Sequence, residues 1–325
     1  MGPESMARPA PGASPTRWMA ATRISLAIAD ELRVPGASGL IESVHRSAIN
    51  VRWNGDLLTI AHESVGCLPN GLLVAGPVAL DQIGLRVGMS MQADATTLWA
   101  PTAARAISLS AAASWSPAMP AQSDLPPVLR AARAERALQV AAFDAPQAGL
   151  GPLLVALAGR STAGTALGAT VAACLIGVVE ALRGGGADRS VAAAFPLIGL
   201  GPGATPSGDD LLVGLAAGLA ATGHRLARPF AAGVALAARG RTTSLAEAFL
   251  AHAGRLQFAE RVHRAALGVL SDEEGEMRAA VGAALSWGAS SGADLLVGLL
   301  LGIQADAPGL QNRLRACAVH EAVAA

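Results

Sequence analysis

The sequence of 325 residues contains no lysine and no tyrosine, and aromatic side chains make up only 3% of it. Its 24 basic and 24 acidic residues balance, so no long-range electrostatic field favours nucleic acid or an anionic membrane. The scarcity of aromatic rings also argues against a stacking platform for single-stranded nucleic acid. The composition therefore predicts neither nucleic-acid nor membrane partners.

Cysteine is scarce as well, and the chain lacks long hydrophobic runs. Cys67, Cys174 and Cys317 are odd in number and have no metal-binding spacing, which indicates small core residues in a reducing, cytoplasmic compartment. Residues 161–179 carry no charge but are rich in Ala, Gly and Thr, which favours a buried helix over a membrane span. Residues 1–15 have no apolar signal region and are predicted to form a disordered tail.

The N-terminal part of the chain, residues 16–113, has a β-rich pattern. It begins with a short predicted helix in residues 16–33. Asn54-Gly55 predicts a two-residue hairpin turn that pairs Val51 with Leu58. Ile49 then pairs with Ile60. Further short strands are predicted at residues 72–75, 83–89 and 95–99.

The composition then changes to a helical pattern. Residues 114–127 contain four prolines and are predicted to be a linker, and residues 128–325 to be helical. The sequence thus predicts an α+β protein with a small β-rich N-terminal part and a larger α-helical C-terminal part.

The chain is organised around Gly199-Leu-Gly-Pro-Gly-Ala-Thr-Pro-Ser-Gly-Asp-Asp210, a glycine-rich loop that runs into an apolar helix. Gly201 and Gly203 allow the backbone to turn and to approach a ligand. Pro206 and Ser207 predict a helix start. The free N–H groups of such a start bind anions.

A second copy supports a functional role for this loop. Ser291-Gly-Ala-Asp-Leu-Leu-Val-Gly-Leu-Leu-Leu-Gly302 matches residues 207–218 at nine of twelve positions. Both copies keep Ser-Gly-x-Asp before an apolar helix, so two similar helix starts are expected to face one pocket. The glycines at four-residue spacing also allow the alternative that the duplication serves close helix packing.

The candidate catalytic residues are Asp210, its counterpart Asp294, and His45 on an N-terminal strand. Two carboxylates beside an anion site repel an anion unless a proton or a metal ion lies between them. The sequence therefore leaves bound Mg²⁺ as an open alternative and specifies no cofactor. The structural alternative for the serines is helix capping, and for His45 a solvated strand edge. The candidate ligand-binding residues are Gly201, Gly203, Thr205, Ser207, Gly208, Asp209, Thr242, Thr243, Ser290, Ser291 and Gly292.

The Gly199–Asp210 loop resembles the signature of the AllH-type subunit of oxamate carbamoyltransferase. Four other segments occur in that family's order: Ser43-Val-His-Arg-Ser-Ala-Ile-Asn-Val51, Pro69-Asn-Gly-Leu72, Thr242-Thr-Ser-Leu-Ala-Glu-Ala-Phe-Leu250 and Ser290-Ser-Gly-Ala-Asp-Leu-Leu-Val-Gly298. The resemblance spans roughly residues 38–305. The chain departs from the expected pattern at Ala289, where the family is expected to have His.

The resemblance implies a subunit of a multi-subunit enzyme of allantoin breakdown, which converts oxalurate and phosphate into oxamate and carbamoyl phosphate. It also implies an acyl-CoA-synthetase-like partner, a companion carbamoyltransferase subunit and a small anionic substrate. Two alternatives stay open: a ribokinase-like phosphotransferase, and a non-catalytic helical partner subunit. The kinase fold requires alternating strands and helices, a pattern that residues 128–325 lack.

Overall fold

The computed structural model describes residues 17–34, 36–76, 79–120, 124–160 and 165–318. The chain divides into two compact units, Met1–Pro117 and Ala118–Ala325. This division falls within the segment that the sequence suggests as a linker. The proposed disordered tail lies outside the described residues.

The N-terminal unit is a β-barrel. Its strands are β1 (Arg17–Ser25), β2 (Ser38–Val44), β3 (Ala48–Trp53), β4 (Asp56–His62), β5 (Gly71–Val74), β6 (Ser90–Ala93), β7 (Thr97–Ala100), β8 (Arg105–Ser108) and β9 (Ala113–Trp115). They follow the order β5-β4-β3-β2-β6-β7-β8-β1, and pairing of β1 with β5 closes the ring, while β9 extends β1. The pairs β1–β8, β1–β9 and β4–β5 are parallel and the others are antiparallel.

The predicted β3–β4 hairpin is confirmed. Val51 pairs with Leu58. Asn54 and Gly55 form the turn with φ angles of 51° and 92°, because a tight turn of this hand requires two residues with positive φ. Alternate residues of the hairpin, including Ile49, point into the barrel core.

Two local predictions in this unit are wrong. Residues 17–25 form strand β1 and not a helix, because pairing with three other strands outweighs local propensity. Only α1 (Ala29–Leu32) is helical in this segment. Residues 83–89 do not form a strand, since Gly84 and Gly88 adopt φ angles of 85° and 84° that break an extended backbone.

The C-terminal unit is helical in its described part. Its helices are α2 (Pro127–Phe143), α3 (Gly151–Leu157), α4 (Ala166–Arg183), α5 (Ala187–Ala194), α6 (Ser207–Ala221), α7 (Ala227–Ala237), α8 (Ser244–Ala253), α9 (Glu260–Leu270), α10 (Glu274–Leu285), α11 (Ser291–Ile303) and α12 (Leu310–Ala318). The predicted α+β class, with a β-rich N-terminal part and a larger helical part, is therefore confirmed.

Helices α6 and α11 form the centre of this unit and run parallel with their backbones in contact. A Cβ on Gly214 would lie 2.1 Å from the carbonyl oxygen of Leu295, and a Cβ on Gly298 would lie 1.9 Å from that of Leu211. The contacts are reciprocal, because Gly214 and Leu211 occupy the places in the first motif that Gly298 and Leu295 occupy in the second. Gly218 and Gly302 repeat the relation one turn further along. Every residue of α6 is buried.

Helix α4 contains most of the uncharged stretch noted in the sequence. By length and composition it is apolar enough to cross a membrane, and half of its apolar window is buried within the protein. It packs on α3, α5 and α12, with Val171, Leu175 and Leu182 buried. This packing supports the prediction of a buried helix.

Candidate functional site

The starts of α6 and α11 meet, as the duplicated motif predicts. Thr205, in the loop before α6, has its Oγ1 atom 3.0 Å from Oγ of Ser291, the first residue of α11. Parallel packing brings the two positive helix ends together. The backbone amides of Ser207 and Ser291 donate no backbone hydrogen bond in the part of the chain that the structure describes.

Each helix contributes a serine hydroxyl to the aspartate of the other helix. The Ser291 hydroxyl lowers the pKa of Asp210 as a hydrogen-bond partner, and its counterpart Ser207 has the same effect on the pKa of Asp294. The exchange follows the same pseudo-two-fold relation as the glycine contacts. Two carboxyl groups and two hydroxyls therefore form one mixed cluster that belongs equally to both motifs.

The capping explanation for the two serines does not hold. Ser207 and Ser291 are the first residues inside their helices, and the N-cap positions belong to Pro206 and Ser290. Neither cap position makes a side-chain capping bond. The serine hydroxyls are thus used between the helices and not at their own helix starts.

Burial keeps the Asp210 carboxyl protonated near neutral pH. The side chain lies in the cluster with the residue only 6% exposed, and desolvation raises its pKa from 3.8 to about 8. Hydrogen bonds from Ser291 and Thr205 oppose this rise, and the charges of Asp294 and Asp209 add to it. Its Oδ2 atom has no hydrogen-bond partner among the described residues.

Asp294 is fully buried, but more hydrogen bonds favour its ionised form than favour that of Asp210. Its Oδ1 accepts a hydrogen bond from the backbone N–H of Leu150 at 2.6 Å. Burial raises its pKa, while this bond and those from Ser207 and Ser290 lower it. Like Asp210, it has an Oδ2 without a partner in the described protein. The two aspartates are equivalent in sequence but differ in environment.

The contact with the segment before α3 was not foreseen from the sequence. Gly149 has a φ of 56°, and a Cβ there would lie 2.4 Å from Asp294 Oδ1 and 2.5 Å from Ser290 Cβ. Only glycine therefore fits against the carboxyl group. The backbone N–H of Leu150 leaves no signal in the sequence, because any residue except proline can supply it, and the neighbouring Gly149 was the indication that the sequence offered.

Asp209 is directed away from its neighbour and holds the glycine-rich loop. Its Oδ1 accepts the backbone N–H of Gly199 at 3.0 Å, and its Oδ2 accepts the hydroxyl of Thr242. Burial raises the pKa of this carboxyl, and both hydrogen bonds lower it. Its two oxygens are both used in these contacts, which anchor the loop to the start of α8.

Thr243 strengthens the same anchor, because its hydroxyl donates to the carbonyl oxygen of Ala204 and also caps α8. Gly201 and Gly203 adopt φ angles of 110° and 101°, as the loop requires. The space around the two glycines differs: a Cβ on Gly201 would lie 3.0 Å from the Ser207 amide nitrogen, whereas one on Gly203 would meet nothing within 4 Å.

Gly208 and Gly292 lie at equivalent second positions of α6 and α11, where the helix packs against the preceding segment. A Cβ on Gly208 would lie 1.9 Å from the carbonyl oxygen of Leu197, and one on Gly292 would lie 1.8 Å from that of Ala284. Close backbone packing accounts for both glycines. It does not by itself bring either of them to a ligand.

His45 lies in the N-terminal unit, just after β2, and its side chain is exposed. Its Nε2 is 3.0 Å from Ser43 Oγ, which in turn accepts a hydrogen bond from Asn50 at 2.9 Å. The buried Thr59 hydroxyl donates to Asn50 Oδ1, and Nδ2 of the buried Asn70 donates to Thr59 Oγ1. His45 thus has a hydrogen-bonding partner within the N-terminal unit. Its catalytic role stays a prediction.

The described residues contain no group of three or more His, Cys, Asp or Glu side chains that could hold a metal ion. The Oδ2 atoms of Asp210 and Asp294, which lack a hydrogen-bond partner among the described residues, are the candidate ligands for a metal ion. Mg²⁺ prefers more oxygen ligands than these two atoms supply. Burial favours a proton on Asp210, which reduces the repulsion of an anion at this site.

Comparison with known protein families matches both units. Residues 20–114 match the AllH family N-terminal domain, and residues 197–303, which contain both Ser-Gly-x-Asp motifs, match oxamate carbamoyltransferase subunit AllH. No curated protein and no solved structure matches the chain. The two family matches together cover most of the chain, which therefore belongs to the AllH family of oxamate carbamoyltransferase subunits.

Proposed function

We propose that this subunit carries the carbamoyl-transfer site of its complex and converts oxalurate and phosphate into oxamate and carbamoyl phosphate. The observation that carries the proposal is the reciprocal exchange of Ser207 and Ser291 with Asp294 and Asp210 at two parallel helix starts. It combines hydrogen-bond donors for an anion, an acceptor for N–H groups and a protonated carboxyl group in one buried cluster.

The substrate chemistry fits these groups. Oxalurate presents ureido N–H donors, carbonyl oxygens and a carboxylate. In our proposal the partnerless oxygen of Asp294 accepts a ureido N–H, and the amides of Ser207 and Ser291 donate to the carbonyl oxygen on which negative charge develops. Helix dipoles favour that charge.

Asp210 supplies the proton that the reaction needs. A phosphate oxygen attacks the ureido carbonyl carbon, the new C–O bond forms, and the bond from that carbon to the oxamate nitrogen breaks. The protonated Asp210 carboxyl donates its proton to this nitrogen, so that oxamate leaves with a neutral amide group and its carboxylate unchanged. The hydroxyl proton of monohydrogen phosphate then restores Asp210. Its pKa of about 8 is suited to giving and regaining a proton near neutral pH.

The proposal includes the assembly that the family name indicates. An acyl-CoA-synthetase-like subunit and a companion carbamoyltransferase subunit are the proposed partners. Cys67, Cys174 and Cys317 form no disulfide bond among the described residues, which supports a cytoplasmic location. The exposed Ala289, in the turn before α11, stands where the family is expected to have His, so that His has no counterpart in the proposed step.

The test is an assay of phosphate-dependent oxamate release from oxalurate, with the full chain co-purified with its partner subunits. Asp210→Asn removes the proton donor and is expected to lower the rate by about 10²–10⁴-fold. Asp272→Asn, at an exposed position, is the matched control and should leave the rate unchanged. Full turnover by the Asp210 variant would contradict the proposed step.

Ligand binding separates the remaining alternatives. A thermal-shift panel would contain carbamoyl phosphate, oxamate and ATP, each with and without Mg²⁺. Stabilisation by carbamoyl phosphate or oxamate supports the transferase, and stabilisation by ATP with Mg²⁺ alone supports the kinase. Co-purification with the partners but no stabilisation by any ligand supports a non-catalytic subunit.

A further inference from the structure

A largely apolar groove with a volume of about 610 Å³ lies between α5 and α7. Helix α5 and the turn after it line the groove at the spacing i, i+3, i+4 and i+7, with Asp188, Val191, Ala192 and Phe195. Helix α7 lines it between Pro229 and Ala237 at similar spacing, so each helix presents one face to the groove. Two helix faces of this kind are normally covered by a further element, and the described part of the chain supplies none.

The groove combines close packing of its two helices with exposed apolar side chains. A Cβ on Gly233 of α7 would lie 2.5 Å from Cγ2 of Val191, so the missing side chain lets α5 and α7 approach each other. Two large apolar side chains of the groove are exposed, Phe195 by 42% and Leu236 by 64%. Single exposed apolar residues are common on protein surfaces, whereas two that share one groove indicate a contact surface.

The two ends of the groove carry opposite charges. The exposed Asp188 lies in the first turn of α5, and the Cζ atom of Arg241 lies 4.6 Å from the ring centroid of Phe195 at the other end. Seven residues separate Asp188 from Phe195, which corresponds to about two helix turns or roughly 10 Å. Neither the Asp188 carboxylate nor the Arg241 guanidinium makes a hydrogen bond or ion pair with any residue that the structure describes. A partner therefore fits best with a cation at the start of α5 and a carboxylate beside Arg241.

The shape of the groove favours a helix over a small molecule. A small-molecule site encloses its ligand and directs several polar groups at it, whereas this groove is open and its charged groups lie at opposite ends. An amphipathic helix binds such a groove with apolar side chains at i, i+3 or i+4, and i+7. The chain belongs to a family of enzyme subunits, so another subunit is a source of that helix.

We propose that the groove between α5 and α7 binds an amphipathic helix of another subunit of the complex, with a basic and an acidic residue about two turns apart. The apolar face of this helix covers Phe195 and Leu236. Its acidic residue pairs with Arg241 and its basic residue with Asp188, which fixes the direction in which the helix lies. The inference concerns association between subunits and does not depend on the proposed carbamoyl transfer.

The test measures the affinity of the full chain for each of the two proposed partner subunits by isothermal titration calorimetry, which needs no turnover. Leu236→Glu places a charge in the groove and is expected to weaken binding to one of the subunits about tenfold or more. Leu267→Glu, at a leucine of α9 that is 51% exposed, is the matched control and should bind as the wild type does. Both changes are at exposed positions, so both variants should melt at the wild-type temperature.

Two further measurements test the charges and the helix. Arg241→Glu should weaken binding about tenfold at low salt and less at high salt, because salt screens the lost attraction. Arg136→Glu, at an exposed arginine of α2, is its control. Hydrogen exchange of the partner should show a helix that is protected by the wild type and less protected by Leu236→Glu. Protection of a strand or a loop instead would overturn the proposed occupant.

The outcomes separate this inference from the proposed function. Association that Leu236→Glu weakens, in a complex without phosphate-dependent oxamate release, keeps the docking groove and rejects the reaction. Oxamate release by a complex in which Leu236→Glu and the wild type bind equally well keeps the reaction and overturns the groove. A wild-type chain that binds neither subunit also overturns it. So does a chain that is dimeric by itself and becomes monomeric with Leu236→Glu, because the groove then binds a second copy.

Discussion

The hydroxyl of Thr205 lies 3.0 Å from the hydroxyl of Ser291, although 86 positions separate the two residues in the chain. The contact joins the loop of the first motif to the helix of the second, and both hydroxyls lower the pKa of Asp210 as hydrogen-bond partners. It shows that the duplicated motifs build one cluster and not two separate sites. Changes in either copy are therefore expected to act on the other.

The pH dependence of stability is expected to reveal Asp210. Its pKa is raised to about 8 in the folded protein from 3.8, so between these values the folded protein keeps a proton that the unfolded chain has released. The free energy of unfolding therefore falls as the pH rises from about 4 to about 8, by an amount on the order of a few kcal/mol. Asp210→Asn removes this contribution, so the variant should be the more stable protein above pH 8 by roughly that amount.

Urea unfolding of both proteins at several pH values measures this difference. Asp209 and Asp294 keep their own contributions in the variant, since burial also raises their pKa values. The control is Asp272→Asn, which should follow the wild-type curve. A wild type and an Asp210 variant with parallel pH profiles would contradict a protonated Asp210.

The crossed serine–aspartate pairs predict a specific pattern of coupling. Removing Ser207 and Asp294 together, as Ser207→Ala with Asp294→Asn, should cost less than the sum of the single changes by about 0.5–2 kcal/mol, because they share one interaction. The equivalent pair is Ser291 with Asp210. The mismatched combination of Ser207→Ala with Asp210→Asn is the control, in which the coupling should be smaller. Equal coupling in matched and mismatched cycles would reject the crossed arrangement.

Close packing of α6 on α11 makes its glycines irreplaceable. Gly214→Ala and Gly298→Ala place a Cβ about 2 Å from a carbonyl oxygen of the opposite helix, so the helices must separate. Each change is expected to destabilise the protein by about 1–3 kcal/mol. Gly282→Ala in α10 is a matched control, because a Cβ there meets nothing within 4 Å. That change should instead stabilise the helix by about 0.5–1 kcal/mol.

Denaturant unfolding measures all three variants. A Gly214 variant as stable as the wild type would mean that the helices are not in backbone contact. Because the same contact sets the distance between the two helix starts, the Gly214 and Gly298 variants should also bind phosphate more weakly than the Gly282 variant.

Local signals in the sequence were sufficient for several elements. Asn54-Gly55 fixed the register of the β3–β4 hairpin, because only a two-residue turn with positive φ connects the strands in that way. Pro206 marked the start of α6, and the repeated Ser-Gly-x-Asp indicated that Asp210 and Asp294 are equivalent. Each of these signals acts over a few residues.

What the sequence did not reveal depends on contacts between distant segments. Strand β1 is defined by its pairing with β5, β8 and β9, and its own residues favour a helix about as well. The exchange of serines between α6 and α11 and the N–H from Leu150 both depend on how the helices pack. The same packing makes the environments of Asp210 and Asp294 different, which no alignment of the two motifs could predict.

The last prediction concerns two adjacent aspartates with opposite roles. Asp209 accepts hydrogen bonds from Gly199 and Thr242 and anchors the loop, whereas Asp210 has one oxygen without a partner. At pH 6 Asp210 is protonated in the folded protein, so Asp210→Asn replaces one neutral group by another of nearly the same shape and should be more stable than the wild type in urea while losing turnover. Asp209→Asn replaces one acceptor oxygen by a donor and should cost about 1–3 kcal/mol of stability.

Because Asp209 holds the loop of the proposed substrate site, its variant should raise the KM for phosphate and retain a larger share of kcat than the Asp210 variant does. Thr242→Val removes the same hydroxyl bond from the other side and should reproduce the Asp209 pattern in a milder form. Urea unfolding at pH 6 and steady-state kinetics of the reconstituted complex measure the two effects separately. If Asp209→Asn lost turnover without losing stability, the loop-anchoring role would be wrong, and the proton donor would have to be sought at Asp209.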